Sequence, residues 1–305
     1  MNQTAELTGK GLSLKSPAIV AGLYMVAAGI AFAAVNSLTT LATMVEGTSS
    51  TSAAFWQYGI AAVLSAPFVL KSGLQGLKTN HVVLHILRVI VAAIGVQLWV
   101  YGLSLGVPIW QAIALIMTST FFVTIGASVV LKEKVGAARW LATLAGFAGG
   151  MIILQPWSDA FELKTLLPVG AAFFWGITSL FTKELTKTEN PQSITLYLLL
   201  LTTPINLALT LGTPSGIVIS TGSAIQWIII AGVLVAAAQW FITKAYATAD
   251  AAYVQPFDHL KLPFNVLLGF LIFGWVPGGN LWLGAAIIVA ASLFIAHRES
   301  QSENA

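Results

Sequence analysis

Residues Gln97–Pro108 read QLWVYGLSLGVP, and residues Gln239–Ala251 read QWFITKAYATADA. Each stretch ends one apolar run with a turn of small and polar residues and starts the next run at once. The run after each carries a glycine at a matching place, Gly126 and Gly269. A segment rich in small residues then follows in each case, Gly136–Ile153 and Asn280–Ile295. The chain therefore reads as duplicated. Two copies that each contain five apolar runs must have opposite orientations, because an odd number of crossings returns the second copy upside down. Inverted repeats of this kind place a site between the halves, near the midplane of a bilayer.

Working outward, ten runs approach the ~20 mostly apolar residues that a crossing helix needs. They are Ala18–Thr40, Ser52–Leu70, Val82–Leu103, Pro108–Leu131, Gly136–Gln155, Leu166–Thr182, Pro191–Leu211, Ala224–Tyr246, Ala251–Gly274 and Asn280–Ala296. Turn formers mark the joints at Lys71-Ser72-Gly73, Gly106–Pro108, Asn190-Pro191, Gly212-Thr213-Pro214 and Pro277-Gly278-Gly279. The expected fold is all-α and integral to the membrane, with ten transmembrane helices as an inverted five-plus-five repeat. Its parts are a tail at 1–17, a first repeat at 18–160, a second at 161–298 and a tail at 299–305. Lys10 and Lys15 precede an apolar run that contains Ala31-Phe32-Ala33, a signal-peptidase-like tripeptide. The apolar stretch continues past it, so a retained first helix is expected.

Composition agrees. Hydrophobic residues are 57% of the 305 and charged ones only 8%, against roughly 25% charged in soluble domains. A chain of this size has no way to hide so much apolar surface from water, so lipid is its solvent. The net charge of +3 comes from scattered basic residues, which excludes a nucleic-acid stripe. With no cysteine, disulfides and thiolate metal sites are excluded, and His81, His85, His259 and His297 lack ligand spacing. No metal or cofactor is expected. Basic residues stay cytoplasmic in short loops. With the N-terminus inside, Lys10, Lys15, Lys71, Lys78, Lys132, Lys134, Arg139, Lys183, Lys187, Lys244 and Arg298 fall at that face. Lys164 alone falls opposite. The localisation read is a bacterial inner membrane with both termini cytoplasmic.

Charges inside apolar runs are costly and mark candidate sites. Lys261 lies well inside the ninth run. Asp258, three residues earlier, is placed to neutralise it, and Gln255 extends the same polar strip. His259 points away from that strip and reads as a hydrogen-bonded packing residue. Pro263 reads as a kink or hinge. As the one carboxylate at membrane depth, Asp258 is where proton coupling would pass. Arg88 sits about two turns inside the third run and reads as an anchor that snorkels, with substrate contact second. Trp99 and Trp175 lie deeper than the interfacial belt and offer ring faces. Asn36 and Gln111 are buried amides in need of partners. Gly146 with Gly150, and Gly102 with Gly106, allow close helix contact. Packing within one chain is preferred over dimerisation, and monomer and homodimer both fit.

Two segments carry a family resemblance. The first is LWVYGLSLGVPIWQA with VVLKEKVGAARWLATLAGFAGGMIIL, inside Arg88–Pro156. The second is AYATADAAYVQPFDHLKLPFNVLLGFLIF with LWLGAAIIVAASLFIAHRE, inside Ala245–Glu299. Together they resemble the paired EamA-type units of the drug/metabolite transporter superfamily. The chain departs from that pattern with Thr118-Ser119-Thr120 in place of a proline. The glutamate present as Glu133 in the first unit has Trp275 at its counterpart. The resemblance implies a transporter that works by alternating access.

The first reading of function is thus a secondary transporter for a small organic metabolite with export favoured. That metabolite is an amino acid or relative, aromatic or carboxylate-bearing, with Lys261 as its anion anchor. The alternative is uptake of a vitamin or nucleoside-type metabolite such as riboflavin or S-adenosylmethionine. A membrane-embedded enzyme needs a nucleophile–base set or a metal cluster at depth, and the sequence has neither. A channel is disfavoured by the inverted repeat.

Overall fold

The computed structural model describes residues 16–72, 78–105, 107, 109–158, 162–218, 221–276 and 278–302. Every regular element among them is helical. In order they are α1 (Pro17–Thr40), α2 (Ser50–Ser72), α3 (Val82–Ser104), α4 (Ile109–Ile116), α5 (Ser119–Val129), α6 (Ala137–Leu154), α7 (Leu166–Leu185), α8 (Pro191–Leu211), α9 (Ser223–Thr248), α10 (Ala251–Val254), α11 (Lys261–Phe273) and α12 (Gly279–Ser302). Two pairs, α4 with α5 and α10 with α11, form broken rods, so the segments compose ten rods. Six described stretches are long and apolar enough to cross a membrane alone: Pro17–Val45, Val82–Trp99, Trp110–Val129, Leu163–Leu185, Pro191–Leu211 and Ser223–Thr248. The protein is an all-α multi-pass membrane protein.

Several ends differ from the hydropathy reading. α1 continues through a π-helical turn, Leu41–Val45. α7 is led in by a 3-10 turn, Leu163–Thr165, and runs on to Leu185. α12 reaches Ser302, into what reads as a tail. The extensions of α7 and α12 carry polar residues, and there backbone hydrogen bonding carries a helix past the point where hydropathy falls. Lys10, Lys15, Gly73, Gly106, Pro108 and Pro277 lie outside the described residues.

The fourth and ninth runs are not continuous helices as expected. After α4 the backbone tightens, with Met117 N bonding Ala114 O at 3.2 Å and Thr118 N bonding Leu115 O at 3.0 Å. The Thr118 hydroxyl also takes Leu115 O, at 2.7 Å. Such i→i−3 bonds and hydroxyl competition end an α-helix locally. In the ninth run, residues Gln255–Leu260 form a 3-10 helix between α10 and α11. Pro256, at its second position, has no N–H to give. The break lies on the N-terminal side of Pro263. That proline stands in the first turn of α11, where a missing N–H costs no intrahelical bond.

α1 packs on α9, as α7 packs on α3. α1 also packs on α11, as α7 packs on α5. The remaining large contacts are α2 with α8, α2 with α9 and α6 with α12. Small residues permit the closest approaches. Gly149 on α6 faces Gly284 on α12, where an added Cβ at Gly284 would lie 2.4 Å from the Gly149 carbonyl oxygen. Of the two small-residue pairs, Gly146 faces His259 and Gly150 lies near the carbonyl of Ala114. Gly102 lies against Leu167 and Pro168. All three contacts are internal.

Candidate functional site

The two breaks meet. His259 Nε2, on the 3-10 segment, lies 2.6 Å from Thr120 Oγ1 and 3.3 Å from Met117 O. Gln255 Nε2 donates to Ser119 Oγ at 3.2 Å, and Tyr246 OH donates to Gln255 Oε1. Gln255 is 4% exposed and His259 fully buried. The His259 ring lies over Gly146, where a side chain on the glycine would come within 2.4 Å of it. Backbone groups freed by the breaks thus sit beside side chains that satisfy their surroundings. This is how non-helical backbone is tolerated at membrane depth. Gln255 therefore does not extend the Asp258 strip. Inside the 3-10 turn it faces α5 and Tyr246 instead.

Lys261 and Asp258 find one another, Nζ to Oδ2 at 2.5 Å, with side chains 16% and 18% exposed. Asn265, which the sequence reading passed over, joins this cluster. Its Nδ2 donates to Lys261 O at 2.7 Å, and Asn36 Nδ2 on α1 donates to its Oδ1 at 3.0 Å. Gly29 on α1 makes room for Lys261, whose Cβ would be 3.3 Å from a side chain there. An asparagine one turn after an intramembrane lysine was the available signal.

Trp99 and Trp175 come together with ring centroids 6.0 Å apart, tilted by 46°. Trp175 lies against Gly95 and donates Nε1 to Ala92 O at 3.4 Å. Trp99 packs beside the cluster of Ile113, Met117, Ile153 and Leu262. Gln111, on α4, is half-buried. Trp99, Lys261 and Gln111 thus stand on elements that border both breaks.

Arg88 does not snorkel. It is 1% exposed, and its Nη1 donates to Ile194 O on α8 at 3.0 Å. Three residues earlier, His85 Nε2 meets Glu189 Oε2 at 2.7 Å, with side chains 2% and 9% exposed. Thr79 donates to the other Glu189 oxygen. Together these ties fasten α3 to α8 and to the turn before it. Separations of over a hundred residues hid them from the sequence.

A bundle of apolar rods, two of them broken and hydrogen-bonded to each other at depth, defines a membrane transporter. The sequence profile of the EamA-like transporter family matches residues 17–155 and 163–296, and this chain belongs to that family. It is 54% identical to the riboflavin transporter of Rhizobium johnstonii, covering 94% of each chain. It is 51% identical to the riboflavin transporter of Vibrio cholerae, over 95% of this chain and 97% of that one. The S-adenosylmethionine uptake transporter of Rickettsia prowazekii is 27% identical over 82% and 83%. A solved crystal structure at 19% identity superposes with a TM-score of 0.68 over 88% of this chain and 96% of the other, a likeness of fold.

These relatives correct the first reading of function. Export of an amino acid or carboxylate is not what these relatives carry out: they are riboflavin transporters and an S-adenosylmethionine uptake transporter, the classes named by the alternative reading. The physical reason is visible in the site. The charge that suggested an anionic substrate, Lys261, is already neutralised by Asp258. Transport, and not catalysis, is the family's activity.

Proposed function

We propose that this protein carries riboflavin into the cell across the inner membrane as a secondary transporter. The observation that carries the reading is the near full-length similarity, at 54%, 51% and 47% identity, to three riboflavin transporters. The chemistry fits. Riboflavin has a neutral, planar ring system with an imide edge and a hydroxylated chain. Indole faces stack on such rings, and amides pair with imide edges. Trp99 and Trp175 are the proposed stacking surface. Asn36, Gln111 and Asn265 are the proposed hydrogen-bonding groups, and Lys261 with Asp258 forms a neutral border.

The test is uptake of radiolabelled riboflavin by a bacterial riboflavin auxotroph that lacks its own importer. Expression should restore growth at low riboflavin. Unlabelled riboflavin should compete, and amino acids should not. Trp99→Ala should weaken apparent affinity roughly tenfold through lost stacking and burial. No riboflavin uptake, with uptake of S-adenosylmethionine instead, would overturn the reading.

The proposed architecture is ten spans in two inverted repeats, near 18–160 and 161–298. Exchanging the halves maps α1 on α9 onto α7 on α3, and α1 on α11 onto α7 on α5, while α2–α8 and α6–α12 map onto themselves. Both broken rods take equivalent places. For orientation we propose both termini cytoplasmic. One end of the bundle holds the ties Lys183 to the Tyr246 and Ala249 carbonyls and Arg139 to Asp250. The other end holds Ser52 and Trp56 against the 216–218 backbone. In an otherwise cysteine-free chain, cysteines at Gly47 and Thr213 should react with an impermeant maleimide added outside intact cells. Cysteines at Gly136 and Asn190 should react only after lysis. The reverse pattern would turn the protein over.

A further inference from the structure

α3 and α8 form a wedge. At one end they are clamped by Arg88 to Ile194 O and by the His85 ring against Tyr197, centroids 4.3 Å apart. Toward the other end they part and leave an apolar groove of about 370 Å³, bordered by Ile90, Ile94, Ile205 and Leu209. The groove opens on the outer face of the bundle, where Ile90 is 46% and Ile94 39% exposed. In the opposite seam α9 brings Gly232 against α2, so close that a Cβ there would lie 2.7 Å from Ile60 Cβ. Pairing Gln97 with Gln239 in the repeat puts Ile90 at the place of Gly232. A branched side chain thus holds one seam open where a glycine closes the other.

The groove ends in a small recess of mixed lining. Gln97 and Leu209 border both, and Ser50, Thr51, Ala54, Val96 and Asn206 complete the recess, a pocket of about 10 Å³. That is room for about one oxygen-sized group. Asn206 is 3% exposed, and its amide nitrogen has no hydrogen-bond partner among the described residues. A buried donor of this kind wants an acceptor, the more so where bulk water is excluded. The recess lies beside the first turn of α2 and about one to two turns from the end of α8, close beneath headgroup level.

We propose that this seam is a phospholipid site, with an acyl chain in the groove and an ester carbonyl of the glycerol backbone in the recess. Ester carbonyls are the deepest oxygens a phospholipid has, and they only accept hydrogen bonds. That matches a donor at the bottom of a slot open to lipid. Among the described residues no charged side chain lines the recess, so the site takes zwitterionic and anionic headgroups alike. It lies on a different face of α3 from the indole pair and is independent of the substrate reading.

Native mass spectrometry of the full chain, purified in mild detergent and supplied with phosphatidylethanolamine or phosphatidylglycerol, tests this. One retained lipid is expected with either. Asn206→Leu should reduce the retained fraction roughly fivefold, the loss of one neutral hydrogen bond. Ile94→Trp, a change on the lipid-facing surface, should reduce it by filling the groove. Riboflavin should not displace the lipid. Equal retention in parent and both variants, or a ladder of adducts with no preferred number, would overturn the site. If Asn206→Leu does not fold, the Ile94→Trp result decides alone.

Discussion

Gly284→Ala is expected to lower the thermal midpoint of the purified protein by roughly 5 °C. An added Cβ would lie 2.4 Å from the carbonyl oxygen of Gly149 and 2.5 Å from Ile153 Cγ1. A side-chain tip can rotate away, but a helical carbonyl cannot, so α12 must separate from α6. In lipid there is no hydrophobic force to hold helices together, and close packing is what joins them. Overpacking of this kind costs about 3 kcal/mol. The separation also disturbs α6 beneath His259, whose ring is seated on Gly146 and bonded to Thr120. Gly278→Ala is the control, because nothing lies within 4 Å of the Cβ it would add. Thermal unfolding followed by intrinsic tryptophan fluorescence reads both. Equal midpoints for the two variants would show that α6 and α12 are not in this contact.

The rods were legible in the sequence because lipid leaves the chain few choices. Every backbone group must bond within its own segment, so apolar length nearly determines helix length. The breaks were not legible, because they depend on partners far away in sequence. Thr120 is 139 residues from His259, and Ser119 is 136 from Gln255. Pro263 marked the neighbourhood of one break, which lies on its N-terminal side, but not the partners of that break. Lys261 and Asp258 were legible as a pair because they are three residues apart. The indole pair depended on Gly95, whose missing side chain admits Trp175. The substrate class was misjudged by weighing the lysine as an anion anchor above its pairing with Asp258, which the sequence also offered.

Lys261→Gln is expected to destabilise the protein by about 3 kcal/mol, at the lower end for breaking a buried ion pair, because both side chains keep some exposure. The loss arises from what is left behind. The Asp258 carboxylate would lose its partner at 2.5 Å, and a neutral amide replaces that attraction poorly. Asp258→Asn should cost a similar amount for the mirror reason, since an unpaired lysine at membrane depth is itself expensive. The double variant removes both charges and keeps two hydrogen-bonding side chains. It should return to within about 1 kcal/mol of the parent, since neutral replacements of a buried pair are often tolerated. Chemical unfolding of the four proteins closes the cycle, and a coupling near zero would show that the pair does not hold the ninth rod. Riboflavin uptake adds a second readout. A neutral ring needs no counter-charge, so the double variant should still transport. If it is stable but inactive, one of the two side chains touches the substrate. If it exchanges riboflavin across the membrane but no longer accumulates it, the Lys261–Asp258 pair takes part in energy coupling, and the same assay on Asp258→Asn alone tells whether the carboxylate is the group that carries the proton.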